Sequence, residues 1–513
     1  MGYTQSDRRK VKVGTALNVL GGISLAGSKA FQFVLRRMFG GEAFGLYMIA
    51  YGIMELLSNF VLGGFGDAIT YHLAKYVSPA DDEDSAQKER REQKLYRTLA
   101  TSLRGSLLIS LVFTALLWGG AELIYRTFWQ DHSTDVVLLL RIIIWALPLL
   151  TLVYMLAEST RAHLDMRTPV LVVQTMFPVL SIIYALIFHF SADLGIFSMA
   201  YGTIASLLSC LPVVIFEFRR YYSFSRTLRT IFSTQGNKEL WGFAIPQSLN
   251  MASNAGLVKL DALILSVFAS ANTVGIYALL VDLAQMIRLP KMAFSGIFNP
   301  LVARYQSQNN KVGIQESLRE LALLSALVGT FVLLLVQFFF PDFIFGTNQA
   351  WTESGWIPWL VCVGPFMSVH FGLAGNLLLM SGHARLLLMN SLMALTLNVV
   401  LDLLWIPKWG ILGAACAGAV ANFSISMLQI IEMNKLPKVS FGYTLHWKGL
   451  LALAVSAFIV LNARPWTWEV RGAMLVLTWG IVLGANMLLP GLPQHPLSLW
   501  WRQKRSKQKR SEI

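Results

Sequence analysis

Several side chains able to bind ions stand inside apolar runs, where lipid would otherwise be expected: the cations Lys29, Arg36, Arg288 and Lys291, and the oxygen-bearing Asn254, Asp261, Asn398 and Asp402. A charge at the centre of a bilayer costs at least about 2.5–3.5 kcal/mol, so such residues mark a wet cavity, a partner or a function. Arg288 and Lys291 are three apart, about 60° from one another around one helix. Pro290 between them removes a backbone donor and should bend that helix. A guanidinium grips two oxygens in a planar fork and an ammonium adds a point charge. With Lys29 and Arg36 they form a set suited to a phosphate or diphosphate. In the first apolar segment Asn18, Gly22, Lys29, Gln32 and Arg36 fall within about 40° of one line, which makes a polar stripe. The competing expectation pairs these cations with Asp282, Glu55 or Asp67 as structural ion pairs and lets Arg36 reach the membrane interface.

The carboxylates point to different chemistry. An anionic substrate would avoid Asp261, whereas a sodium ion or a proton would seek it. Gln247, Asn250, Asn254 and Asp261 share one face of their helix within about 60°, and Asn398 and Asp402, four apart, share one face of another. Hard oxygen ligands suit sodium, and a carboxylate pair equally suits a proton. Asp402 lies near the end of its segment, where the alternative is that it reaches the interface.

The elements that must position these groups are membrane helices. The chain has 513 residues, 55% of them apolar and only 14% charged, with a mean hydropathy of +0.55. That composition excludes a water-soluble globular protein. The hydropathy pattern predicts an all-α polytopic membrane protein with about fourteen spans, near 13–35, 43–64, 100–121, 136–157, 169–190, 195–216, 242–268, 275–297, 318–340, 356–380, 386–405, 411–432, 447–463 and 470–489. No cleavable signal peptide is expected before the first. Basic clusters fall in alternate loops: DRRKVK, KERREQKLYR, RRYYSFSRTLR and WRQKRSKQKR. The positive-inside rule therefore predicts cytoplasmic termini, 1–12 and 490–513, in the cytoplasmic (inner) membrane. The net charge of +14 needs only anionic lipid, not nucleic acid. Cys210, Cys362 and Cys416 lie within spans, and His72, His163, His189, His370 and His383 are scattered, so neither a disulfide framework nor a metal centre is expected. No phosphate-cradling glycine loop is present, and the chain is not read as an enzyme or as holding a cofactor.

An internal repeat organises the spans. Gly45-Leu-Tyr47 and Gly275-Ile-Tyr277 are followed, just under thirty residues later, by Ala74-Lys-Tyr76 and Ala303-Arg-Tyr305; LGIFSMAYGTIAS and WGILGAACAGAVA match farther along. Two pseudo-symmetric six-helix lobes are predicted, 13–216 and 242–432, joined by a basic cytoplasmic linker at 217–241 and followed by two C-terminal helices within 447–489. Aligning the lobes sets Lys29 opposite Asp261, a cation in one half against a carboxylate in the other.

RRMFGGEAFGLY with GGFGDAITYHLAKY in the first half, and IPQSLN, KLDALILSVFASANTVGIY and LVARY in the second, resemble the polysaccharide-transporter (Wzx-like) flippases of the MOP superfamily, over nearly the whole chain. The resemblance implies a two-lobed alternating-access transporter. It would move a polyprenyl-(pyro)phosphate-linked oligosaccharide to the outer leaflet for cell-surface polysaccharide synthesis, with membrane lipids, a polymerase and glycosyltransferases as partners. The Asn-x-x-x-Asp pair with an aspartate on helix seven is similar to the sodium site of the lipid II flippases of that superfamily, which carries over to Asp261, Asn398 and Asp402. Gly418 stands where the resemblance leads one to expect a threonine. The alternatives are a multidrug or cation exporter of the same superfamily, against which the basic stripe argues, and a non-transporting scaffold of a polysaccharide-synthesis complex.

Overall fold

The computed structural model describes residues 21–22, 24, 27–29, 31–77, 84–163, 165–233, 237–307, 310–345, 356–435 and 467–487. Among these the regular structure is helical throughout, with no strand. A chain immersed in lipid must satisfy its backbone internally, and helices do so segment by segment. α1 is helical at every described position from 21 to 39 and ends at Gly40, whose φ of +86° suits a glycine. Next come α2 (Gly41–Val77), α3 (Ser85–Phe128), α4 (Asp135–Ile143) and α5 (Ala146–Arg161). The Asp84 carboxylate caps α3 by accepting the Ser85 N–H. A π-helical turn at Pro169–Met176 leads into α6 (Phe177–Ala192), followed by α7 (Ser198–Arg219), the short α8 (Phe224–Ser233) and α9 (Lys238–Phe268), which Asn237 caps through the Glu239 N–H at 3.1 Å. The rest is α10 (Ala271–Ala284), α11 (Leu289–Ser307), α12 (Lys311–Phe345), α13 (Ile357–Met380), α14 (Ala384–Trp409), α15 (Ile411–Lys435) and α16 (Trp468–Met487).

Eleven helices among the described residues are long and apolar enough to cross a membrane, and they coincide with the second to twelfth predicted spans. The protein is a multi-pass, all-α membrane protein. The first span is described only in part, α16 occupies the fourteenth, and the thirteenth (447–463) and the basic tail (490–513) lie outside the described residues. Leu108, Leu111, Val112 and Leu116 on α3 are exposed, the surface that a lipid-facing helix presents.

The predicted eighth span is broken at its proline. α10 gives way to a 3-10 turn, Gln285–Arg288, before α11 begins with Leu289-Pro290. Without an N–H, Pro290 cannot bond the carbonyl four residues back, and the helix tightens into the 3-10 turn just before it. The chain also divides at this point into two compact units, Met1–Leu283 with Ala384–Ile425, and Ala284–His383 with Ser426–Ile513.

In the first unit α2 packs along α9, and α9 along α14. The motif glycines explain the closest approach: a Cβ on Gly45 would collide with the Ala271 carbonyl, and one on Gly275 would lie 2.9 Å from the Gly45 Cα. Small residues let membrane helices meet backbone to backbone. The motif tyrosines bond into the same unit, Tyr47 with Thr203 Oγ1 at 3.1 Å and Tyr277 with Asp261 at 3.0 Å. Phe65, Leu99, Leu103, Val153, Met155 and Phe218 sit in its core. In the second unit Ile287, Leu333, Phe366 and Val369 form one apolar cluster, and Leu334, Phe338 and Leu475 a second where α16 meets α12.

Candidate functional site

Three sets of polar side chains within the spans hold the site residues expected from the sequence, while Asp67 is met by Gln247 at 2.7 Å in a further polar contact. The first is an ion network in the first unit. Lys29 of α1 donates to Asp282 Oδ1 of α10 at 3.0 Å, and Lys259 of α9 reaches the same oxygen at 2.8 Å and Glu55 Oε2 of α2 at 2.7 Å. Asp282 is almost completely buried. Two cations thus face two carboxylates and the net charge is zero, which lets four helices share a buried network. Lys29 is therefore held in the ion-pair arrangement; its ammonium keeps further donors, since it has three in all. Arg36 bonds the Asn272 side chain at 3.0 Å near the start of α10. Lys259 had no assigned role from the sequence, although a lysine in mid-span two residues before Asp261 is itself the signal that could have found it.

The second set also lies in the first unit. Asp261 on α9 meets Asn398 and Asp402 from α14, the Tyr277 hydroxyl from α10, and Gly418 from α15. The Asp402 side chain is fully buried within the protein, and Asn398 likewise. Tyr277 donates to Asp261 Oδ2. Among the described residues no donor satisfies Asp261 Oδ1 or either oxygen of Asp402, and the Asn398 amide is also without a well-aligned partner. Two anionic carboxylates in contact have no hydrogen to share, so the pair needs a proton or a cation between its oxygens. Two carboxylates, an amide oxygen and a phenol are the hard oxygen donors that such a cation prefers. A Cβ at position 418 would stand 2.6 Å from Asp261 Oδ2, so the place of the expected threonine is filled by the Asp261 carboxylate itself. Asn254 lies two turns away and bonds the Asn250 carbonyl of its own helix at 2.8 Å, while Ser391 reaches Asn250 at 3.4 Å.

The third set belongs to the second unit. Lys291, near the start of α11, donates to Ser368 Oγ of α13 at 3.2 Å and lies over Gly372, where any Cβ would strike its ammonium group. Among the described residues no carboxylate comes within ion-pairing distance of Lys291. Arg288 stands one turn before it. Asn376 with Asn299 (3.0 Å) and Gln306 with Ser381 (2.8 Å) extend the polar contact farther along α11 and α13.

The sequence profile of the polysaccharide biosynthesis protein family matches residues 15–290. This chain belongs to that family. Among curated proteins, none matches this polysaccharide biosynthesis protein by sequence. Its fold is similar to those of several solved membrane transporters. An inward-facing multidrug resistance MATE transporter of the MOP superfamily superposes with a TM-score of 0.63 at 11% identity, covering 83% of this chain and 99% of the other. The lipid II flippase MurJ in an inward closed conformation gives 0.62 at 13% identity, covering 91% and 98%. The MATE multidrug transporter DinF-BH gives 0.61 at 16% identity, covering 84% and 96%.

Proposed function

We propose that this polysaccharide biosynthesis protein is a flippase. It carries a polyprenyl-(pyro)phosphate-linked oligosaccharide from the cytoplasmic to the outer leaflet by alternating access, coupled to a cation gradient, in a cytoplasmic membrane with both termini inside. The observation that carries the reading is Lys291, a lysine within a membrane span that has a serine and a glycine as neighbours and, among the described residues, no carboxylate within ion-pairing distance, with Arg288 one turn away. Such a lysine is costly in an apolar surrounding and is relieved by an anion. A phosphate head supplies one, and the family to which the chain belongs works on polysaccharides. Lys29 is occupied by Asp282 and contributes as part of a neutral network, so the anion falls chiefly to Lys291, with Arg288 one turn before it.

The carboxylate set serves the opposite charge. Asp261, Asp402, Asn398 and Tyr277 would hold sodium or a proton, and the gradient of that ion would return the empty carrier. The membrane potential favours exit of the anionic head by about 2.3 kcal/mol per charge per 100 mV. The chain makes and breaks no covalent bond in this reading.

Translocation of a fluorescent pyrophosphate-linked oligosaccharide in proteoliposomes tests it. Losing a hydrogen bond to a charged group costs about 1.5–3 kcal/mol, so Lys291→Met should weaken transport roughly 10- to 150-fold. Asp402→Asn should abolish the response to a sodium or proton gradient. Export of a cationic dye with no movement of the lipid-linked glycan would establish the exporter reading instead. Failure to move either would leave the scaffold role.

A further inference from the structure

The segment between α7 and α9, read from the sequence as a basic linker, contains a helix with a bare apolar flank. At 100° per residue, Thr227, Ile231 and Phe224 lie on one side of α8, Leu228 and Phe232 on the adjoining side, and Arg229 and Arg226 beyond them. The first side packs: Thr227 is buried, and Phe224 and Ile231 are half-buried. The second does not, for Phe232 is 88% exposed and Leu228 43% exposed.

We propose that α8 docks on the anionic phospholipid headgroups of the adjacent leaflet, with Phe232 and Leu228 sunk below the headgroups and Arg229 paired with lipid phosphate. The level of the helix carries the argument. α8 lies against α3, with Arg226 bonded to Glu92 at 2.7 Å and over the Tyr96 ring at 4.5 Å, and with Arg104 donating to the Ile231 carbonyl at 3.4 Å. Just beyond it the Asn237 N–H bonds Thr101. Along that stretch α3 changes character: residues 88–97 read KERREQKLYR, whereas Leu108, one turn past Arg104, begins the exposed apolar face that meets lipid. Ile231 and Phe232 therefore sit where α3 enters hydrocarbon, and Arg226 sits among its polar residues. A helix that is apolar on one flank and basic on the next, at that depth, has the form of an interfacial anchor.

The helix is held there firmly. The turn into α8 is pinned by the Tyr221 hydroxyl on Asp165 (3.0 Å), the Tyr222 hydroxyl on the Ser159 carbonyl (3.0 Å) and the Ser223 N–H on the Tyr96 hydroxyl (2.9 Å). Two protruding side chains are far less than a stable protein interface needs, yet they are enough to anchor a helix already fixed to its own protein. Arg219, Arg220 and Arg229 are exposed nearby, the charge that an anionic leaflet attracts.

The inference is independent of the transported substrate, and so is its test. The full chain is reconstituted in vesicles of phosphatidylcholine with phosphatidylglycerol, carrying one spin label at a time on Phe232→Cys, Leu228→Cys, Lys88→Cys as an aqueous reference or Leu116→Cys as a lipid reference. The chain without an introduced cysteine sets the background. Labels at 232 and 228 should collide with oxygen and be shielded from an aqueous nickel chelate, as at 116. Replacing phosphatidylglycerol by phosphatidylcholine, together with Arg229→Gln, should remove that shielding. Nickel access at 232 equal to that at 88 would overturn the proposal. So would shielding from both probes, the sign of a protein cover, or shielding indifferent to lipid charge and to Arg229.

Discussion

Lys259→Met removes the one cation that touches both carboxylates of the buried network. Glu55 then has no ion-pair partner among the described residues, and Asp282 keeps only Lys29. Breaking a buried ion pair from one side costs about 3–5 kcal/mol, because the remaining charge is left uncompensated. Lys29→Met is the informative comparison. Its side chain is 22% exposed, and Lys259 stays on Asp282 Oδ1 at 2.8 Å when it is gone. The loss should then fall near the upper end for an exposed pair, about 1 kcal/mol. The assay is thermal unfolding of the purified protein in detergent, followed by near-ultraviolet circular dichroism. Lys259→Met should lower the midpoint several times more than Lys29→Met, and adding Glu55→Gln to Lys259→Met should recover part of the loss by restoring neutrality. Equal, small losses for both lysines would refute the shared network as a stabilising element. A Lys29→Met variant of normal stability that no longer transports would give Lys29 a direct part in binding.

The carboxylate set around Asp261 and the helix contacts yield further expectations. Gly418→Thr places a Cβ 2.6 Å from Asp261 Oδ2, so the carboxylate must turn away; overpacking of this kind costs about 1–3 kcal/mol, and on the proposed cation or proton binding the stabilisation that sodium or lower pH would give the purified protein should be absent from this variant. Tyr277→Phe strips Asp261 of its donor and should cost about 1–3 kcal/mol in thermal stability, an effect that vanishes in an Asp261→Ala background, which leaves the tyrosine hydroxyl no acceptor at that position, because the two substitutions remove one contact. Gly45→Ala drives a methyl group into the Ala271 carbonyl and should sharply reduce the yield of monodisperse protein on size-exclusion chromatography, with Gly275→Ala acting in the same direction.

The spans were legible because a bilayer imposes a length and an apolarity that hydropathy reads directly, and Pro290 announced the break in the eighth because a missing N–H is a local property. The Gly-x-Tyr motifs were visible as a repeat, but not that Gly45 and Gly275 lie against each other: that contact depends on how α2 crosses the α9–α10 turn. Partnership was the harder matter. Lys29 could be read as an anion ligand or as half of an ion pair, and the choice rests on Asp282, 253 residues away in sequence. Asp402 could be interfacial or buried by position in its helix alone, and α15 packing Gly418 onto Asp261 belongs to the buried outcome. Lys259 escaped notice beside a more conspicuous aspartate. The amphipathic α8 read as linker because Arg226 and Arg229 within its ten residues, with Arg219 and Arg220 just before them, carry a charge signal stronger than their periodicity.

The separation between Lys29 and Asp282 also sets an order of events during synthesis. At about 5–20 residues per second, Asp282 is made roughly 10–50 s after Lys29, yet only about 1–5 s after Lys259. The Lys259 pair therefore forms while α9 and α10 are still leaving the ribosome, and α1 waits in the bilayer with an uncompensated ammonium until that pair exists to receive it. α1 is thus locked only once the eighth span is made, and the nascent chain carries an uncompensated intramembrane charge through the making of its second to seventh spans.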